Sequence, residues 1–244
     1  MSKSTQQCPD EFPVALFDVD GTLIKGSSSF EGTWFLFKRG RVGPHHIAMA
    51  LWYALLHGMG LVTYERMYRI GLRLFHGMAV EEAITLSRRC LEERVAARFF
   101  VGAIDELRAQ RATGRTIVLV SAGPRYLVQV IGARLEADAV ITAGPLIRGC
   151  RLTDVLDGPL CSGPGKVQRV RQYLWERGMA LANCVYYGDS INDLPLLELV
   201  GQPIAVNPDP RLMKVALAKG WKIVQWRKTA GKQGHSSRGA SVSS

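Results

Sequence analysis

The sequence predicts an α/β fold, a doubly wound and mostly parallel (Rossmann-like) sheet with a helical cap inserted after the first strand. Three observations carry this. The apolar run Val14-Ala15-Leu16-Phe17 ends in acidic residues and Gly21, as a buried strand entering a tight loop does. From Ser27 to about Phe100 the apolar residues recur at helical rather than strand spacing. Beyond that point β-branched apolar runs alternate with amphipathic segments, the pattern of a sheet covered by helices on both faces.

In the helical block, Phe30, Trp34, Phe35 and Phe37 recur near the 3.6-residue period. An almost wholly apolar stretch at 47–62, a segment at 64–75 and a longer helix at 81–99 follow; the last is acidic at its start and arginine-rich later, as the helix dipole favours. The 47–62 stretch is shorter than the about 20 residues needed to span a bilayer. It is expected to be a buried cap helix, with a membrane-contacting face as the minority alternative. Trp34, Trp52 and Tyr53 are expected in the cap core. Next come a strand at 116–120, a helix at 124–135, a strand at 139–142 and a small antiparallel excursion between Leu146 and Cys161. Ser162 is expected to cap a helix running through Lys166 to Glu176, with Gly178 closing it. A strand at 184–187, a short helix at 193–199 and a strand at 204–206 precede a helix opened by Asp209-Pro210. The expected organisation is an N-terminal tail (1–13), a catalytic core (14–26 and 105–226), the cap (27–104) and a disordered basic tail (227–244).

The 244 residues are ample for a core, and 47% hydrophobic with 21% charged residues excludes a disordered or fibrous chain. The net charge of +10 is uneven: after Asp209 there is no acidic residue, while eight lysines and arginines follow. The folded body is thus nearly neutral, so nucleic acid is not an expected partner. The five cysteines are scattered and form no CxxC pair, which speaks against a disulfide framework or a structural zinc site. With no apolar stretch at the N-terminus, the expected location is the cytoplasm.

Reactive residues cluster after the expected strands: Asp18-Val19-Asp20-Gly21-Thr22 after the first, Ser121-Ala122-Gly123 after the second, Gly165-Lys166 at a helix start, and Gly188-Asp189-Ser190-Ile191-Asn192-Asp193 after a later strand. Ligands of such sheets bind outside the carboxyl ends of the strands. Clustered carboxylates repel one another unless a cation neutralises them, and hard oxygen ligands select Mg2+. A carboxylate can take a phosphoryl group, while a second carboxyl protonates the leaving oxygen and later deprotonates water. Lysine, Ser121 and loop N–H groups such as that of Ala122 suit the phosphoryl oxygens.

The segments DVDGT, VSAG, GK and GDSIND resemble, in order and spacing, the four motifs of the haloacid dehalogenase superfamily of phosphohydrolases, over roughly residues 14–226. The insertion after the first motif resembles the cap of its phosphoserine-phosphatase-like branch (subfamily IB). The resemblance implies that Asp18 is the nucleophile and Asp20 the general acid/base. It implies that Asp18, Asp20 (through its backbone carbonyl) and Asp189 bind Mg2+, with Asn192 and Asp193 supporting metal and phosphate. Lys166 would tie nucleophile to phosphate, and Thr22 would orient the first motif. Asp20 also marks a phosphate ester as substrate, since dehalogenating members need no acid there. The expected function is Mg2+-dependent hydrolysis of a small phosphomonoester through an aspartyl-phosphate. The alternatives are transfer to another hydroxyl, or a binding protein that uses the cap and basic tail. Where phosphoserine phosphatases carry a glutamate nine residues after the nucleophile, this chain has Ser27; their cap arginine aligns with Gly71, near Arg69 and Arg73. Losing a buried charge partner costs about 2–5 kcal/mol, so phosphoserine is not the expected substrate, and a larger or more apolar leaving group is left open.

Overall fold

The computed structural model describes residues 12–59 and 61–226. Strand β1 (Val14–Phe17) is buried at all four positions and pairs in parallel with β2 (Thr116–Ser121) on one side and β6 (Cys184–Gly188) on the other. With β3 (Ala139–Thr142), β7 (Gln202–Val206) and β8 (Lys222–Val224) they make a parallel six-stranded sheet in the order β3-β2-β1-β6-β7-β8. The chain winds outward from β1 to β3, then returns to β6 and winds outward the other way. The order therefore reverses between β1 and β6, where ligand crevices of such sheets open.

Both faces of the sheet are covered, which is why β1 and β2 read as continuous apolar runs. Ala15 and Phe17 enter one cluster, with residues of α5 (Val101–Ala112) and α6 (Arg125–Arg134). Val14 and Leu16 enter the other, with residues of α7 (Pro164–Trp175), α8 (Leu194–Leu197) and α9 (Pro210–Lys219). Successive strand side chains point to opposite faces, so both clusters meet at β1.

Between β1 and β2 lie α1 (Ser28–Lys38), α2 (Pro44–Gly58), α3 (Tyr64–Leu72) and α4 (Val80–Cys90). Phe35, Leu36, Cys90, Leu91 and Val95 join the same cluster as Phe17, so the insertion shares a core with the sheet. The single helix expected at 81–99 is instead α4, a wide π turn at Leu91–Val95 and a tight 3-10 turn at Ala96–Arg98. Buried Glu31 of α1 accepts from both Arg94 and Arg98 at 2.8 Å, which anchors that irregular stretch. Residue 104, the expected end of the cap, lies inside α5, a helix that packs on β2.

The expectation for 47–62 is corrected. Leu51, Trp52, Leu55 and Met59 of this stretch are each more than half exposed. The 15-residue helix α2 carries no Asp, Glu, Lys or Arg and touches only α1 and α3 among its larger contacts, so its apolar circumference exceeds what the fold covers. Trp52 is accordingly not in the cap core, whereas Trp34 is half-buried between the rings of Phe30 and Phe37. Among the described residues no helix is long and apolar enough to cross a membrane.

The antiparallel excursion is a hairpin of β4 (Pro145–Arg148) and β5 (Arg151–Leu156), clasped to the insertion by Gly77 N–H on Leu152 O and Leu152 N–H on Met78 O. Ser162 does not cap α7: Gly163 holds the cap position at φ 51°, with Pro164 first in the helix, and Ser162 contributes its carbonyl to the N–H groups of Gly165 and Lys166. Pro13 is already tied to the sheet, its carbonyl accepting from Thr116 N–H at 2.9 Å. The rest of the expected tails, 1–11 and 227–244, lies outside the described residues.

Asp209 caps α9 as expected and also braces the next loop. Its Oδ1 accepts from the Arg211 and Leu212 N–H groups and its Oδ2 from Ile191 N–H, each at 2.8 Å. Burial pushes its carboxyl up, but the N–H donors of Leu212, Ile191 and Arg211 outweigh it and hold the group below the usual range. The folded state thus binds this proton more weakly than the unfolded chain, so the stabilisation is present above the unfolded pKa and fades as pH falls through the folded one. Asp209→Ala is expected to cost about 1 kcal/mol in urea unfolding at pH 7, and the deficit should shrink below about pH 4. A deficit independent of pH would contradict this account.

Candidate active site

The carboxyl ends of β1 and β6 bring the first and last motifs together. Asp18 extends the strand ladder by one residue, its N–H donating to Tyr187 O at 2.9 Å. Gly21 then turns at φ 77°, and any Cβ there would overlap the Asp189 carboxylate, so glycine lets the two loops meet. One carboxylate oxygen from each of Asp18, Asp189 and Asp193 lies within 4.8 Å of the other two.

Lys166 reaches this cluster from the first turn of α7, which packs closely because Gly165 leaves room for the Leu160 carbonyl. Its ammonium is buried and has three partners: Asp18 Oδ1 at 2.7 Å, Asp193 Oδ1 at 2.5 Å and the Tyr186 hydroxyl at 3.0 Å. Tyr186 in turn donates to Asp193 Oδ1 at 2.7 Å. Asp193 therefore does not spend its side chain as the cap of α8, although its Oδ2 accepts a longer bond from Ser190 N–H.

Asp20 has separate hydrogen-bond partners. Its carboxylate accepts from the Ser28 N–H at 2.8 Å and the Ser28 hydroxyl at 3.0 Å, at the start of α1. Two aspartates two residues apart thus have different partners, Asp18 a buried ammonium and Asp20 a pair of neutral donors. Thr22 is buried with its hydroxyl 3.5 Å from Asp189 Oδ1. Ser121 is buried at the end of β2, its Oγ accepting from Gly123 N–H at 3.0 Å, and Ala122 is half-buried beside it. Asn192 is not gathered in: it is exposed, and its backbone N–H donates to Ser190 Oγ.

The electrostatics leave the cluster short of positive charge. Burial pushes the Asp18 carboxyl well up; Lys166 opposes this, while Asp193 and Asp189 add to it. Asp189 is pushed to about 7 by burial and by Asp193. For Lys166, burial favours the neutral amine, but Asp18 and Asp193 outweigh it and keep the ammonium charged. Asp20 is pushed up to about 6 by burial despite its bonds to Ser28. Three carboxylates face one ammonium, and the surplus donors are all hard oxygens. That set fits a hard divalent cation such as Mg2+.

The sequence reading missed Tyr186 and Ser28. Tyr186 carried a signal: a tyrosine in a central buried strand needs a partner for its hydroxyl. Ser28, between two other serines, carried none beyond its helix-start position.

The family model of haloacid dehalogenase-like hydrolases matches residues 15–198. The chain belongs to that family. Phosphoserine phosphatase SerB1 of Mycobacterium tuberculosis is 31% identical over 235 residues, covering 92% of this chain and 74% of its own length. A histidinol-phosphatase of Neisseria meningitidis is 26% identical over 228 residues, covering 88% of this chain and 99% of its own. Among solved structures, a Bordetella pertussis protein of unknown function superposes with a TM-score of 0.80 at 31% identity, over 86% of this chain and 97% of the other. A substrate-bound phosphoserine phosphatase superposes at 0.63 with 18% identity, over 89% and 94%, a likeness of fold. Among haloacid dehalogenase-like hydrolases the chain is thus a phosphatase-type enzyme of the phosphoserine-phosphatase-like branch.

Proposed function

We propose that the protein hydrolyses a small-molecule phosphomonoester through an aspartyl-phosphate on Asp18, with Mg2+ as cofactor. The observation that carries this reading is the division of labour between Asp18 and Asp20. Lys166 holds Asp18 Oδ1 at 2.7 Å, which leaves Oδ2 to attack phosphorus. Asp20, with a pKa pushed to about 6, stands near the value at which a carboxyl can both give and take a proton. In the first step the bond from phosphorus to the leaving oxygen breaks as that oxygen takes the Asp20 proton. In the second, the Asp20 carboxylate takes a proton from water, the water oxygen bonds to phosphorus, and the Asp18–phosphorus bond breaks to restore the carboxylate. Lys166 stays charged throughout and spreads its charge over Asp18, Asp193 and the phosphoryl oxygens. Ser121 and the N–H groups around Ala122 supply hydrogen bonds at the end of β2.

The carboxylates of Asp18, Asp189 and Asp193 would hold the Mg2+, with Asp20 contributing its backbone carbonyl. When bound, the ion offsets charge on the phosphoryl group and lets an anionic ester approach an anionic nucleophile. The test is phosphate release from a panel including phosphoserine, histidinol phosphate, glycerol phosphates, sugar phosphates and a generic aryl phosphate. Release is expected with Mg2+ and should fall by about 100-fold or more with chelator. Release unaffected by chelator would overturn the cofactor assignment, and silence across the panel from folded protein would overturn the reading itself.

A further inference from the structure

A cavity of about 570 Å³ lies within the helical insertion, between α1, α2, α3, α4 and the start of α6. Its size is that of a site for a ligand much larger than a phosphorylated amino acid. Its walls are mostly apolar, with Trp34, Met67, Ile70 and Leu74 among them, and among the described residues Arg125 is the only Asp, Glu, Lys or Arg that lines it. Arg125 is already paired with Asp157 at 2.6 Å. None of the described wall residues offers a carboxylate to an ammonium group, and Ser27 and Gly71 are among them.

The cavity wall comes within one residue of Ser28, which holds the general acid, while Asp18, Asp20, Lys166 and Ser121 lie outside that wall. Ser27 and Ser29 line it on either side of Ser28, whose N–H and hydroxyl hold Asp20. Pro124 and Arg125 line it directly after the Ser121–Gly123 loop. A general acid must touch the leaving oxygen, so a leaving group long enough to pass from Asp20 along the start of α1 would reach this space. Phe30 and Leu51 are wall residues that are also more than half exposed, so the cavity reaches the surface there.

We propose, resting on the phosphatase reading above, that the substrate is an amphiphilic phosphate monoester whose leaving group is a single long hydrocarbon chain, seated in this cavity. The experiment compares kcat/KM for n-alkyl phosphates from ethyl to dodecyl, kept monomeric, with an aryl phosphate as reference. Burying each methylene should raise kcat/KM about fourfold over the first several carbons, then level as the cavity fills. Gly71→Leu, which adds volume from α3 where a Cβ meets nothing within 4 Å, should bring the plateau to a shorter chain. A flat series in which the aryl ester is still hydrolysed overturns the substrate class and leaves the phosphatase reading standing. Calorimetric titration with ethyl- and dodecylphosphonate reads the cavity without turnover. About 100-fold tighter binding of the long chain, with a negative heat-capacity change, supports the proposal. Equal affinities overturn it even if no ester is hydrolysed.

Discussion

Asp18→Asn is expected to abolish phosphate release, by about 10⁴-fold or more, while the protein remains folded and still binds phosphonates. The amide is nearly isosteric with the carboxylate but is no nucleophile toward phosphorus. The stability side of this prediction is less obvious. Burial, Asp193 and Asp189 all push the Asp18 carboxyl up, so its charge is held at a cost without a divalent cation. Lys166 keeps Asp193 Oδ1 at 2.5 Å and the Tyr186 hydroxyl at 3.0 Å as partners, so neutralising Asp18 does not strand the ammonium. In chelator, Asp18→Asn should therefore melt at or above the wild-type temperature. Single-turnover phosphate release and thermal unfolding on the same preparation check both halves. Retention of more than about a tenth of wild-type turnover would remove Asp18 from the nucleophile's role.

The parts of this molecule legible in the sequence are those where one local signal decides. Val14–Phe17 and Thr116–Ser121 read as buried strands because both faces of a parallel sheet are covered, and Asp209-Pro210 reads as a helix start because cap and first-turn chemistry agree. Three of the four motifs read as loops at strand ends and the fourth, Gly165-Lys166, as a helix start, from the alternation of strands and helices. What escaped depends on contacts between distant segments. Ser28 matters because α1 folds back onto Asp20, eight residues earlier, and serine at a helix start has an ordinary local explanation. Asn192 shares a loop with Asp189 and Asp193 yet stays outside the cluster, because the tight turn at Ile191–Asp193 sends only Asp193 inward. The error at α2 has the same origin. An apolar helix reads as buried when the number of neighbours is unknown, and here the neighbours cover only part of its circumference.

Lys166→Met is expected to be the most destabilising single change in the site. Wild-type Lys166 is the one ammonium among three close carboxylates, and removing it leaves Asp18 and Asp193 buried without a cation. Breaking a buried pair by deleting one partner costs about 3–5 kcal/mol, because the surviving charge stays desolvated. The pH dependence distinguishes this from a packing defect. Carboxyls buried without a counter-charge have folded pKa values above their unfolded ones, so the variant is at its most stable below the unfolded pKa and loses stability as pH rises through the folded values. In chelator, its deficit against wild type should therefore widen from about pH 4 to pH 7. Adding Asp193→Asn to Lys166→Met should recover a large part of the loss, since one of the two stranded charges is gone while Tyr186 can still donate to the amide oxygen. Urea unfolding of the single and double variants across that pH range measures each term. A Lys166→Met protein as stable as wild type, with no pH trend, would show that the ammonium does not hold these carboxylates together, and the lysine would then matter only to the reacting phosphoryl group.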